Sequence, residues 1–264
     1  MKQSFLVLLL ATLISSTFAQ QDPKQKRNKK QERRERINAL IKQEEEGVIA
    51  YRKHYAFGIK LTTDGYGISF EKGYSKSVKK ATLFQIEITE RKHQKETKQT
   101  NLLSSSSPII YGKINYFYPI RLGVQQQFLL GNKSNKNGVS ITGNIGGGIS
   151  VGLLRPYEVL VNKGGEDTWV RYESEDSLLF LNGPYASGPD FGRGWGHLKV
   201  TPGLYLKPAV RFDYGRYNEL VSAVEGGLLA EFYSKKIPQM AHNKQKQFFF
   251  SAYVTVLFGK RKNK

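Results

Sequence analysis

The 264-residue chain has no cysteine, which excludes a disulfide framework and a thiol-linked acyl anchor at the processing site. The fold is expected to hold without covalent staples. Long apolar runs are also missing: past the first twenty residues nothing approaches the roughly eighteen consecutive apolar residues that a membrane-crossing helix needs. This leaves a soluble protein or a membrane protein that crosses with strands. Histidine is scarce, and His54, His93, His197 and His242 show no metal-ligand spacing. Neither a metal nor a cofactor is expected.

The one apolar run stands at the start. Lys2 precedes Phe5 to Ile14, and Thr17-Phe18-Ala19 forms a small-residue cleavage site before Gln20. About ten apolar residues rising about 1.5 Å each fall well short of a hydrocarbon core of about 30 Å. Residues 1–19 therefore read as a signal peptide, and the chain as exported.

Acidic residues are few against the basic ones, and the formal charge is +19. Such an excess ordinarily raises nucleic acid as a partner, but export and the lack of a recognisable basic motif argue against it. Much of the excess gathers in Lys24, Lys26, Arg27, Lys29, Lys30, Arg33, Arg34 and Arg36. Outer-membrane lipid, lipopolysaccharide phosphate or an acidic envelope component is the partner expected for this arm. Residues 20–50 are read as periplasmic: a disordered basic tail, then a short helix with Ile37, Leu40 and Ile41 as a thin apolar face.

From residue 51 onward the period changes to two. Tyr55, Phe57, Ile59 and Leu61 alternate with small or polar residues, and across Thr63-Asp64-Gly65 the pattern resumes with Tyr66, Ile68 and Phe70. Asp-Gly between alternating runs predicts a hairpin. Further runs centre on Phe84 to Ile88, Val139 to Leu153, Leu198 to Phe212, Val224 to Phe232 and Phe248 to Phe258. Pro119 invites a break in the segment 112–130. Its phase argues for one strand, because Ile114, Tyr116, Tyr118, Ile120, Leu122, Val124, Phe128 and Leu130 share a parity.

The count is then eight, and many runs exceed the five or six residues usual in soluble strands. With the amino terminus in the periplasm, the connections near 75–81, 131–138 and 215–219 fall inside, and those near 93–111, 156–196 and 234–246 outside. Short periplasmic turns and long external loops are the asymmetry of outer-membrane barrels, and aromatic residues near strand ends suit interfacial girdles. The expected fold is an all-β, eight-stranded antiparallel transmembrane barrel over residues 51–264, preceded by a short periplasmic helix. A soluble sandwich or lipocalin-like barrel is the alternative.

Several short motifs carry a resemblance. Phe18-Ala19-Gln20, Ile37-Asn38-Ala39-Leu40-Ile41, Glu44-Glu45-Glu46-Gly47, Thr63-Asp64-Gly65-Tyr66-Gly67, Leu130-Gly131-Asn132-Lys133, Pro202-Gly203-Leu204-Tyr205 and Leu257-Phe258-Gly259-Lys260-Arg261 resemble a family of small outer-membrane β-barrel proteins of Bacteroidota. The resemblance spans nearly the whole chain and implies fold and location in a Gram-negative cell envelope. It implies no biochemical activity.

The parity opposite the apolar one predicts a lumen lined by Lys60, Glu71, Glu87, Arg91, Lys113, Arg121, Lys199, Lys207, Arg211, Asp213, Glu225 and Glu231. An eight-stranded barrel is just wide enough to be filled by side chains, so these charges are expected to neutralise one another, with Gly146, Gly148 and Gly227 leaving room for long partners. No catalytic residue is assigned. A lipid-modifying enzyme would draw on His197 with Glu173, Asp176 or Asp190. Gly143 to Gly148 lies within an alternating strand and so does not meet the context of a phosphate loop. The long excursion 155–196, with Trp169, Tyr172, Phe180, Tyr185, Phe191 and Trp195, is either a binding surface or a plug. The function expected is a non-enzymatic structural or interaction module, with a narrow channel as the alternative.

Overall fold

The computed structural model describes residues 23–45, 51–99, 107–133, 138–173, 175–215 and 219–262. The signal-peptide segment, residues 20–22 and residues 46–50 lie outside them. Helix α1 covers Pro23–Glu45 and is followed by strands β1 (Lys53–Thr62), β2 (Gly65–Ser77), β3 (Lys80–Arg91), β4 (Lys98–Gln99), β5 (Ile109–Ile110), β6 (Asn115–Gly131) and β7 (Ser140–Pro156). Then come β8 (Glu158–Lys163), β9 (Glu166–Arg171), helix α2 (Ser177–Asn182), β10 (Tyr185–Ser187), β11 (Lys199–Asp213), β12 (Leu220–Ile237) and β13 (Lys246–Lys262).

Eight of these strands close a barrel in the order β1-β13-β12-β11-β7-β6-β3-β2. Closure runs in register from Lys53↔Lys262 to Thr62↔Tyr253, so no barrel strand is left with an unpaired edge. The hairpin at Thr63 and Asp64 forms as its Asp-Gly signal predicts. The segment with Pro119 is one strand of 17 residues.

Its proline sits where a ladder is interrupted. Pro119 pairs with Gly152 on the β7 side, while on the β3 side Ile88↔Ile120 is followed by Arg91↔Phe117. Pro208 does the same on β11, where Leu206↔Ala230 is followed by Ala209↔Gly227. A residue without an N–H is tolerated inside a sheet only where no hydrogen bond is asked of it.

The two faces are inverted relative to a soluble barrel. Phe57, Ile59, Phe70, Phe84, Leu122, Ile149, Leu204, Leu228, Phe250 and Val254 are exposed on the outer wall, while Lys60, Glu87, Arg121 and Lys207 are at most 1% exposed inside. A wall of this kind is matched to hydrocarbon, and the closed ladder satisfies its backbone there. Among the described residues no helix is long and apolar enough to cross a membrane. The first residues of β1 and the last of β13 lie at the barrel end that carries the connections after β2, β6 and β11.

Helix α1 departs from expectation. The basic stretch from Pro23 onward is helical, not a disordered tail. Proline suits the first helical position, and the Lys, Arg, Gln and Glu residues that follow are good helix formers uninterrupted by glycine. The thin apolar face is as read: Ile37 and Leu40 are buried, Ile41 half-buried, and Lys29, Lys30, Arg33 and Arg34 exposed. Arg36 lies 4.0 Å from Glu219 in the turn before β12, which puts this part of the helix beside the barrel end where β1 begins and β13 ends.

Candidate functional site

The lumen holds a chain of ion pairs with alternating sign. Glu71 is bound by Arg211 at 2.7 Å, and Arg211 also reaches Glu225 at 2.7 Å. Lys207 lies 3.7 Å from Glu225 and 2.6 Å from Glu87, which also takes Lys60 at 2.6 Å and Arg121 at 3.4 Å. Arg121 continues to Glu231 at 2.8 Å, Glu231 to Arg91 at 2.6 Å, and Arg91 to Asp64 in the first hairpin turn at 2.6 Å. Carboxylates and cations balance along this path. That balance makes burial tolerable, because a lone charge in such a site carries a desolvation cost of several kcal/mol.

Neutral groups take up the remaining hydrogen bonds. The Tyr253 hydroxyl donates to Glu225 at 2.8 Å and the Tyr233 hydroxyl to Glu231 at 2.9 Å. Ser150 donates to Glu231, Asn144 to Glu225 and Gln85 to Glu71, while Thr89 accepts from Arg121 and Ser251 from Arg91. Room comes from the glycines: a Cβ on Gly227 would sit 2.9 Å from the Tyr253 ring, and one on Gly146 2.9 Å from the Gln125 side chain. Apolar layers stand beside the charges, with Phe117, Leu154, Tyr233, Ile237 and Phe249 in one cluster and Ala56, Val221, Ala223 and Leu257 in another.

Of the twelve residues predicted for the lumen, two lie elsewhere. Lys113 is buried but precedes β6, in the layer of long connections, where its ammonium binds Glu96 at 2.6 Å. Burial pushes its pKa down against the opposing pull of Glu96. Lys199 is exposed at the outer end of β11, where the wall faces water and parity no longer implies burial. Asp213 is in the mouth of the barrel at the end where β13 terminates, held by Arg261 and by Lys133 at 3.5 Å. The other nine form the network. Sequence reasoning missed Asp64, because turn chemistry accounts for an aspartate there, and it missed the apolar residues that share the charged parity, above all Phe117, Leu229 and Phe249.

The long connections at the opposite end of the barrel fold together. Ile110, Tyr157, Val159, Val161, Val170, Phe180 and Met240 form one buried cluster, drawing on three separate loops. The strands β8, β9 and β10 make a small sheet within it, and α2 packs Phe180 into the cluster. The Tyr157 hydroxyl accepts from Ile110 N–H at 2.8 Å, and burial raises its pKa. Gly112 C=O accepts from Ala241 N–H at 2.7 Å, and Gln239 C=O from Ile114 N–H at 2.8 Å. Beside this cap, the buried Arg155 guanidinium lies 4.1 Å from the Tyr116 ring and 5.0 Å from the Trp195 ring. Phe191 and Leu178 remain 77% and 75% exposed.

The histidine weighed for catalysis does not meet its expected carboxylates. His197 is exposed and has Glu158 at 3.9 Å as its acidic neighbour. Glu173 is engaged with Arg171, and Asp190 accepts from Ser107. Among the described residues no cluster of His, Asp or Glu could hold a metal ion.

No protein-family model matches the sequence, and no curated protein matches it. Solved structures similar in fold include Neisserial surface protein A, at 9% identity and TM-score 0.37, covering 80% of this chain and 96% of that one. Ail, the attachment invasion locus protein of Yersinia pestis, matches at 9% identity and TM-score 0.36 over 80% and 96%. The N-terminal β-barrel domain of Pseudomonas aeruginosa OprF matches at 9% identity and TM-score 0.35 over 78% and 96%. No activity is carried over from these likenesses.

Proposed function

We propose that this chain is a non-enzymatic outer-membrane protein whose barrel serves as a rigid base for a folded external cap, and that the cap is the surface that meets a partner or ligand. The observation that carries this reading is the shared core of the three external excursions. Loops that build a common apolar core present a fixed surface, and this one leaves Leu178 and Phe191 exposed. Large exposed apolar side chains on an ordered surface favour contact.

The same reading places both termini in the periplasm, with the basic face of α1 turned to an acidic envelope component and the outer wall set in lipid and lipopolysaccharide. The affiliation with Bacteroidota rests on the short motifs quoted above. The channel alternative is disfavoured by a lumen in which Lys60, Arg121 and Lys207 are closed off by their partners.

A photo-reactive residue introduced at Phe191 or Leu178 in intact cells tests the cap. A discrete adduct of one mass, absent when the same residue replaces the wall residue Ile59, is the expected result. Adducts only of lipid, alike at all three positions, would overturn the reading. Planar-bilayer recording of the refolded protein addresses the channel, for which a filled lumen predicts no steady conductance. Deleting residues 20–45 tests the arm; an unchanged set of periplasmic partners in a pull-down would remove it from the proposal.

A further inference from the structure

The charge of this protein is divided unevenly along the barrel axis. At the outer end cations and carboxylates are interspersed: Tyr66, for example, carries Lys92 at 5.0 Å over its ring and donates from its hydroxyl to Glu90 at 2.9 Å. At the periplasmic end they are not. Among the described barrel residues of that end within 51–55, 72–81, 126–142, 211–223 and 256–262, the carboxylates are Asp213 and Glu219; Asp213 is already bound by Arg261, Glu71 is inside the lumen on Arg211, and Glu32 and Glu35 belong to α1.

The excess cations are on the outer wall. Strand alternation turns Lys72, Lys80 and Lys262 outward, on the parity of Phe70, Phe84 and Phe258. Each lies against an outward aromatic ring. Lys72 is 5.5 Å from Tyr55 and 5.4 Å from Tyr74, Lys262 is 6.0 Å from Tyr55, and Lys80 is 5.8 Å from Phe128. Aromatic rings of this kind mark the depth of the headgroups, and lysine stems run along apolar surface to bring their ammonium groups there. Among the described residues no ion pair is made by these three ammonium groups, which leaves room for an external anion.

We propose that the periplasmic rim is a seat for anionic phospholipid: the phosphates of phosphatidylglycerol-type headgroups in the periplasmic leaflet supply the counter-charge for Lys72, Lys80 and Lys262. The seat rests on the membrane reading and orientation proposed above. An acidic protein is a worse fit for these three residues, since they are on the wall and at lipid depth, not on the solvent-facing end. Basic residues near an anionic leaflet each gain about 1 kcal/mol, or about fivefold in lipid preference.

The test uses the full chain inserted into vesicles of phosphatidylcholine mixed with a minor fraction of phosphatidylglycerol, then released for native mass spectrometry. Retained lipid should be enriched in phosphatidylglycerol relative to the vesicle, and raised salt should reduce the enrichment. Lys72→Gln, Lys80→Gln and Lys262→Gln together should lower it by on the order of tenfold or more, whereas Lys92→Gln at the outer rim should leave it unchanged. Heat-modifiable gel mobility checks that the triple variant is folded, and the salt series on the unmodified chain is independent of any variant. Equal retention of both lipids, an unchanged triple variant, or an equal loss with Lys92→Gln would overturn the proposal. So would displacement of the lipid by soluble polyglutamate, which would make the rim a protein seat. Failure to insert into either vesicle would instead overturn the membrane reading beneath it.

Discussion

Arg121 on β6 and Glu231 on β12 meet across the lumen through two hydrogen bonds of 2.8 and 3.2 Å, although 110 residues separate them in the chain. Two strands, β11 and β7, lie between theirs around the wall, so this contact spans the barrel interior. It ties together strands that backbone hydrogen bonds connect only through β11 and β7 on one side and through four strands on the other.

Breaking one side of this pair leaves a buried charge without compensation. Arg121→Met should destabilise the barrel by about 3–5 kcal/mol, read from urea unfolding in lipid vesicles. Arg121→Met with Glu231→Leu should recover much of that loss, because the pair then leaves together. A double variant no more stable than the single one would show that Glu87 and Arg91 depend on the pair as a unit.

Gly73 stands opposite His54 in the β1–β2 register, and the imidazole occupies the space a side chain would fill. A methyl group there would overlap the ring. Gly73→Ala should therefore cost about 1–3 kcal/mol, and His54→Ala in the same chain should relieve most of it. A double-mutant cycle with no coupling energy would contradict the packing described.

Phe180 is buried in the cap, away from the barrel network. Phe180→Ala should loosen the cap by about 3–5 kcal/mol of local stability and leave the barrel intact. Faster hydrogen exchange confined to 157–187 and to the partner loops near 110 and 240, with unchanged heat-modifiable mobility, is the expected pattern. Loss of the mobility shift would mean that the cap is needed for the barrel to close.

His93 lies in the layer of long connections and its Nδ1 accepts from Lys95 N–H at 3.2 Å, a bond that requires the neutral ring. Burial chiefly, helped by Lys246 and Lys95, lowers its pKa below 6.5 against the pull of Glu96. In that window the opened loop binds the proton better than the closed one, so closure gains as pH rises toward 6.5 and is weakened as pH falls through the depressed value. Hydrogen exchange of residues 92–99, corrected for intrinsic rates, should report slower opening at pH 7 than at pH 5. His93→Gln should flatten the dependence.

Local sequence was enough for the wall. A period of two with one apolar parity gives eight strands, keeps Pro119 inside a single strand, and assigns nine of the lumen charges, because in a closed sheet the parity of a residue decides its medium. Parity fails where the sheet ends. Lys199 shares the inward phase yet is exposed, and Lys113 turns out to serve the cap.

What the linear chain determined was therefore each residue's face, a property of one strand. The tertiary structure decided which residues meet. The pairing of Arg121 with Glu231, the entry of Asp64 into the lumen chain, and the joining of Ile110, Phe180 and Met240 in one core all depend on barrel closure and on loops distant in sequence. The folding of the basic arm into α1 belongs to local propensity, but the burial of Ile37 and Leu40 belongs to the fold around them. Alternation is written in neighbouring residues; partners across a lumen are set by strand order and register, which no single segment contains.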